Sequence, residues 1–191
     1  RYAGQLKNTL ANTSSMMENL LNWASSQMQG FNPVIEPFDV RICAQEVIDS
    51  FVEIAEKKNI QILNHLLPNQ LCMADVNMTS LVFRNLINNA IKFTNENGQI
   101  NVSSKETDAQ LFIAIKDNGI GLSLEQITNF NQALFDENAK TTLGTHKEKG
   151  TGIGLMLCRT FTQMMHGSLS VHSQKDRGTT FTLMLPKPIC I

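Results

Sequence analysis

The chain has 191 residues, a formal net charge of −1 and 42% hydrophobic residues. That length suits one ordinary domain, or a smaller one with an extension, and the hydrophobic content argues for a packed core over disorder. The near-zero charge gives no footprint for nucleic acid or an anionic membrane.

Residues 1–29 read as one helix. Leu6, Leu10, Thr13, Met17, Leu20 and Ala24 recur at alternating steps of four and three, the seam of a coiled coil or helical bundle. Such a stripe needs partner helices, or a domain surface to lie on. The chain opens inside this pattern without a cap, as a cut within a helix would. Gly30, Pro33 and Pro37 then break the helix and mark a linker over 31–37.

From residue 38 onward the element types alternate. "FDV" reads as a short strand, "RICAQEVIDSFVEIAEKKN" as a helix and "IQILNHL" as a strand. A short segment at Leu71–Met73 precedes the long helix "DVNMTSLVFRNLINNAIKFT", which Asp75 caps. "QINVSSKET" and "QLFIAIKD" form an antiparallel hairpin. Residues 123–149 are polar and irregular apart from a weak helix near Leu124–Ala133, and a loop that long in a compact domain is usually functional. "TGIGLMLCRTFTQMMHG" is a helix ended by Gly167, and "SLSVHSQ" and "TTFTLMLP" are closing strands around "KDRG". The class is α+β: a mixed, largely antiparallel sheet with helices on one face.

No apolar run approaches the roughly 20 residues of a membrane span, and no signal peptide opens the chain. Cys43, Cys72, Cys158 and Cys190 form no CxxC pair, which fits reduced thiols in a cytoplasmic protein.

Two glycine turns stand out, "KDNGIGL" at 116–122 and "KGTGIGL" at 149–155. The second leads into a helix, where backbone N–H groups and the helix dipole favour an anion. A Rossmann reading fails because the preceding "THKEK" is no strand, and no GxxxxGK[ST] stretch exists. Asn85, Asn89 and Lys92 fall on one helix face at i, i+4 and i+7. Two amides and an ammonium there either meet a polar ligand or face solvent. An amide oxygen suits magnesium, which is usually shared with phosphates. The cluster Lys140, Lys147 and Lys149 is a solvated loop or a phosphate contact.

In order, an asparagine helix, Asp-Asn-Gly-Ile-Gly, a long loop, Gly-Thr-Gly-Ile-Gly and a Gly-Thr-Thr-Phe strand resemble the ATP-binding domain of bacterial sensor histidine kinases. That family shares a superfamily with gyrase B, Hsp90 and MutL. The resemblance covers residues 38–186. It implies a two-layer α/β sandwich of the Bergerat type that binds ATP with Mg2+. It implies Asn89 as magnesium ligand with Asn85 supporting it, Lys92 at phosphate, and Phe93 bordering the nucleotide. Asp117 resembles the acid that accepts the adenine amino hydrogen bond, and a carboxylate, being acceptor-only, selects an NH₂ over a guanine carbonyl. Gly119 and Gly121 resemble the residues that keep side chains off the base. Gly150, Thr151, Gly152 and Gly154 resemble the phosphate turn and lid hinge, with Lys147 among the lid lysines. Thr179 or Thr180 completes the adenine end, adjacent strand residues facing opposite ways. The loop at about 123–149 resembles an ATP lid, and Phe130 and Phe135 either pin it or pack in the core.

Residues 1–30 resemble the second helix of the dimerisation hairpin in these kinases, so the implied partners are a second copy of the protein and a response-regulator receiver domain. No nucleic acid or membrane contact is expected of the chain itself, as the cytoplasmic part of a membrane-anchored sensor. The first hairpin helix, with the phosphorylated histidine, is absent. His65 and His172 read as strand residues, His146 as a lid residue and His166 as a helix end. The implied activity is protein-histidine kinase. The alternatives are an ATP-hydrolysing switch of the Hsp90 or MutL type, a non-catalytic nucleotide-binding scaffold, and an anti-sigma type serine kinase.

Overall fold

The structure, a computed structural model, describes residues 32–132, 144–145 and 154–188. The chain divides between Asn32 and Pro33, and every described element belongs to the second unit. The expected helix over 1–29 lies outside the described residues. No helix among the described residues is long and apolar enough to cross a membrane.

The elements in chain order are β1 (Glu36–Asp39), α1 (Val40–Glu56), β2 (Gln61–Asn64), β3 (Leu71–Ala74), α2 (Val76–Phe93), β4 (Gln99–Glu106) and β5 (Gln110–Asp117). Then come α3 (Leu124–Gln132), α4 (Gly154–Met164), β6 (Ser168–Gln174) and β7 (Gly178–Pro186). Five strands form one sheet in the order β2-β4-β5-β7-β6, and β1 pairs with β3 in a second, two-stranded sheet. Among the described residues only β2 and β4 run parallel. A parallel pair needs a crossover, and β3 with α2 supplies it.

β1 begins at Glu36, two residues inside the segment expected to be linker. Pro37 is tolerated there because β1 has only β3 beside it, so one edge of the strand needs no N–H. Val40, expected to end the strand, instead starts α1, because the Asp39 side chain accepts from Arg41 N at 2.8 Å and caps the helix.

One face of the large sheet is closed by helices. Ile100, Val102, Leu111, Ile113, Leu183 and Leu185 are all fully buried. Against them packs α2, whose Val82, Phe83, Leu86 and Ile87 are equally enclosed. Each such side chain contributes about 1.5–3 kcal/mol of burial. α2 touches both α1 and α4, so it is the central helix of its layer. The opposite sheet face carries Asn101, Lys116, Thr180 and His172 in one register row. These are the alternate residues of a half-buried sheet.

α4 ends differently from the expected glycine stop. His166 takes the left-handed turn with φ 58°, and Gly167 follows it, donating to Thr162 O at 2.8 Å. Gly167 is needed for space, since a Cβ there would lie 2.3 Å from Met184 O.

Candidate functional site

α2 brings most of the chemistry. Asp75 caps its start by accepting from Asn77 N and Met78 N at 2.9 and 3.0 Å. Asn85, Asn89, Lys92 and Phe93 are all half-buried along its second half. The Asn85 amide donates to Leu81 O at 3.0 Å. Its oxygen faces Gly154, where a Cβ would come within 2.7 Å of it. Gly154 therefore lets the start of α4 approach the asparagine face. Asn89 lines a cleft, and its side chain makes no hydrogen bond to the described residues. Lys92 lays its ammonium over the Phe93 ring, 4.8 Å from the centroid.

Asp117 ends β5 and is 5% exposed. Its Oδ1 accepts from Gly119 N at 2.9 Å and Thr179 N at 3.2 Å. Burial pushes the carboxyl above its ordinary range, and those backbone hydrogen bonds oppose the shift. Oδ2 makes no hydrogen bond among the described residues and is not sealed off from solvent. One oxygen is therefore pinned and the other is an open acceptor at the cleft.

The glycines around Asp117 make room for backbone. A Cβ on Gly119 would lie 2.2 Å from Phe93 O, where the chain closes on the end of α2 through Ile120 N to Phe93 O at 3.1 Å. Gly121 has φ +69°, and a Cβ there would sit 2.2 Å from Gln174 O. These two glycines are thus required by the protein's own packing, and Gly121 also lines the cleft. Gly178, absent from the sequence-based site, is the tightest of the set: φ +94°, with a Cβ 2.0 Å from Asp117 O.

Thr179 and Thr180 are separated by the strand pleat. Thr179 is 7% exposed and lines the cleft. Thr180 pairs with Lys116 and His172 on the far face, so it is not part of the site. Ser173, which the sequence did not single out, orients Thr179. Its Oγ accepts from Leu122 N at 2.8 Å and lies 2.9 Å from both Gly178 O and Thr179 Oγ1. A carbonyl only accepts, so the Ser173 proton goes to Gly178 and the Thr179 hydroxyl donates to Ser173. Thr179 then keeps its lone pairs as acceptors.

Asn89, Ala90, Phe93, Asp117, Gly121, Leu122, Leu155, Thr179 and Phe181 line one cleft, partly open to solvent. Phe130 of α3 is 8% exposed and meets the Phe181 ring edge-on, with centroids 5.7 Å apart. Arg159 of α4 lies over the other side of the same region, 5.8 Å from the Phe130 centroid, and donates to Phe130 O. Phe130 is at once a core residue and the fastening of α3 beside the cleft. Phe135, Lys140, Lys147, Lys149, Gly150, Thr151 and Gly152 lie outside the described residues.

The donor set fits a nucleotide with a hard cation. The described residues hold no group of three His, Cys, Asp or Glu that could cage a metal. A magnesium at Asn89 would take its other oxygens from phosphate and water. Burial pushes the thiols of Cys43 and Cys72 up to about 12, and that of Cys158 higher still, so none is a nucleophile at neutral pH. Among the histidines, His65 lies one residue beyond β2, His172 is in β6, and His166 is in the turn after α4.

Residues 74–189 match the family model for histidine kinase-, DNA gyrase B- and HSP90-like ATPases. The chain belongs to that family. Within it, the resemblance is to sensor histidine kinases. The sensor protein SrrB of Staphylococcus aureus is 26% identical over 175 residues, 91% of this chain and 29% of its own length. The chain thus spans less than a third of the curated relatives it matches. The catalytic domain of the histidine kinase ThkA superposes with TM-score 0.68 at 26% identity, over 80% of this chain and 97% of that one. ThkA in complex with the response regulator TrrA superposes with TM-score 0.70 at 20% identity, over 96% of this chain and 49% of that one. The family's ATP-binding domain and its mixed sheet with helices on one face are therefore those of this chain.

Proposed function

We propose that the cleft binds Mg-ATP and that the whole protein transfers the γ-phosphoryl to a histidine outside this chain, for relay to a response-regulator aspartate. The observation that carries the adenine assignment is Asp117, with one carboxylate oxygen pinned by two backbone N–H groups and the other open. An exocyclic amino group donates to that oxygen, and a guanine carbonyl is repelled by it. Thr179 adds an acceptor, and Phe93 and Leu155 border the base. Asn89 would hold magnesium, with Asn85 set behind it and Lys92 at phosphate. Bound magnesium supplies charge neutralisation on the phosphates. The chain's own part is to orient the nucleotide, since phosphoryl transfer depends mostly on positioning.

Residues 1–30 act in this reading as a dimerisation helix of a homodimer, 31–35, up to the start of β1, as linker and 123–149 as lid, with Lys147, Gly150, Thr151 and Gly152 at the phosphates. The receiver domain of a response regulator is the partner, and the parent protein is anchored in a membrane. A water-activating ATPase of the Hsp90 or MutL type needs an acid on the asparagine helix. α2 reads VNMTSLVFRNLINNAIKF and has none, and Glu96 lies beyond its cap at Thr94. That favours transfer to a protein acceptor over hydrolysis.

Calorimetry with ATP, ADP and GTP tests the reading. ATP and ADP bind and GTP does not. Equal affinity for ATP and GTP would sink the adenine assignment.

A further inference from the structure

α2 closes on Thr94, whose N–H donates to Ala90 O at 2.9 Å, which leaves the carbonyls of Ile91, Lys92 and Phe93 without a donor from the helix. Thr94 follows it in an extended conformation, with φ −84° and ψ 137°, so there is no left-handed glycine to turn the chain back on the last carbonyls. Those carbonyls must find donors elsewhere. Three separate segments provide them. Lys58, in the turn between α1 and β2, donates from Nζ to Ile91 O at 2.8 Å and Lys92 O at 3.2 Å. Thr145 donates from its backbone N to Lys92 O at 3.0 Å. Its Oγ1 lies 3.1 Å from both Lys92 O and Thr94 O. Ile120, in the glycine turn after Asp117, donates to Phe93 O.

Lys58 also ties two of these segments together, donating to Thr145 Oγ1 at 2.6 Å. It is only 5% exposed. Enclosing an ammonium is unfavourable unless oxygen acceptors surround it, and a helix C-terminus adds the negative end of its dipole. The turn holding Lys58 is itself braced, by Asn97 N to Lys58 O at 3.0 Å and by the Asn59–Asn97 amide pair. These acceptors, Ile91 O, Lys92 O and Thr145 Oγ1, belong to residues outside the cleft lining. What Lys58 fixes is the end of α2 at Ile91 and Lys92, and the chain at Thr145.

We infer that Lys58 is a positioning residue for the phosphate end of the nucleotide site, acting through the last turn of α2 and through Thr145. The adenine end has its own fixings, since Asp117 is held by Gly119 N and Thr179 N. Loosening the Lys58 junction therefore separates the two ends. The inference rests on the Mg-ATP reading of the cleft.

The test measures two affinities in each variant, adenosine alone and ATP with magnesium. Lys58→Met keeps the length of the side chain and removes its donors. It keeps adenosine affinity within about twofold and loses about tenfold or more for Mg-ATP, a difference of about 1.4 kcal/mol. Thr145→Val shows the same selective loss in smaller measure, and Thr145→Ser, which keeps the hydroxyl, restores it. If Lys58→Met does not fold, the Thr145 pair decides alone. Parallel losses of adenosine and Mg-ATP, or no loss of either, would overturn the positioning role. A wild-type chain that binds neither ligand would instead overturn the reading of the cleft, and this inference with it.

Discussion

The two ends of the cleft are built on different principles. The proposed adenine end is made of backbone. Asp117 is gripped by two main-chain N–H groups, and Gly119, Gly121 and Gly178 each sit where a Cβ would strike a carbonyl of another segment. The proposed metal end is made of side chains on one helix face, with Asn89 bonded to none of the described residues. Backbone contacts among strands are fixed once the sheet forms, so the adenine end is preorganised without ligand. A free amide on a helix waits for its ligand to complete the geometry. Base choice should therefore be decided by folding, and cation dependence by binding.

The largest expected effect strikes the preorganised end. Gly178→Ala forces a left-handed backbone on alanine and drives its Cβ into Asp117 O, for a loss of about 2–5 kcal/mol of stability. Denaturant unfolding measures it, and a change under about 1 kcal/mol would show that the turn relaxes freely.

Asp117 comes next, and its substitution should move binding and stability in opposite directions. Asp117→Asn loses about 1.5–3 kcal/mol of adenine nucleotide binding, the range for hydrogen bonds to a charged acceptor. The fold gains. Burial raises the Asp117 pKa above its ordinary value of 3.8. Its contribution to stability is fully present below that unfolded value and is lost as pH rises through the folded one. Asparagine carries no such loss, so the variant without ligand should be the more stable at neutral pH, with the gap closing as pH falls towards 3.8. Unfolding both proteins across that range checks it, and a gap that widens on acidification would contradict the burial argument. Nucleotide affinity of the wild type should fall over the same acidic range, as the acceptor is protonated.

The open end responds to a different substitution. Asn89→Ala should remove about tenfold of the magnesium-dependent gain in ATP affinity, about 1.4 kcal/mol, and leave affinity without magnesium nearly unchanged. Titrations with and without the cation separate the two. A full magnesium effect in the variant would show that Asn89 is not the ligand.

Sequence reading reached these two ends unequally, for physical reasons. That Asn85, Asn89 and Lys92 share one face was legible from helical spacing alone, whereas Asp117 was singled out by the family resemblance of the motif that begins with it. The sheet followed from alternation, as in "QLFIAIKD", whose Leu111, Ile113 and Ile115 are the buried set. Residues whose role depends on register or distant contact were not legible. Ser173 matters because it stands opposite Thr179 in the β6–β7 hairpin, and Gly178 because Asp117 O lies beneath it. Lys58 sits beside Lys57 in a polar turn, and nothing in the pattern distinguishes the buried lysine from the exposed one. The glycines were read as clearing space for a base, whereas Gly119 and Gly121 first clear space for Phe93 O and Gln174 O.

The finest test of the contrast lies in two adjacent threonines. Sequence left Thr179 and Thr180 equivalent, and the strand pleat sends them to opposite faces. Thr179→Val removes a hydroxyl that donates to Ser173 and offers its lone pairs to the cleft, so adenine nucleotide affinity should fall by about 1 kcal/mol. Thr180→Val changes a residue in the row with Lys116 and His172, away from the cleft, so affinity and stability should both stay within about 0.5 kcal/mol. The pair shares chemistry, strand and neighbourhood, so only the face differs. If Thr180→Val weakened ATP binding as much as Thr179→Val, the adenine end would depend on the sheet as a whole, and its separation from the metal end would fail.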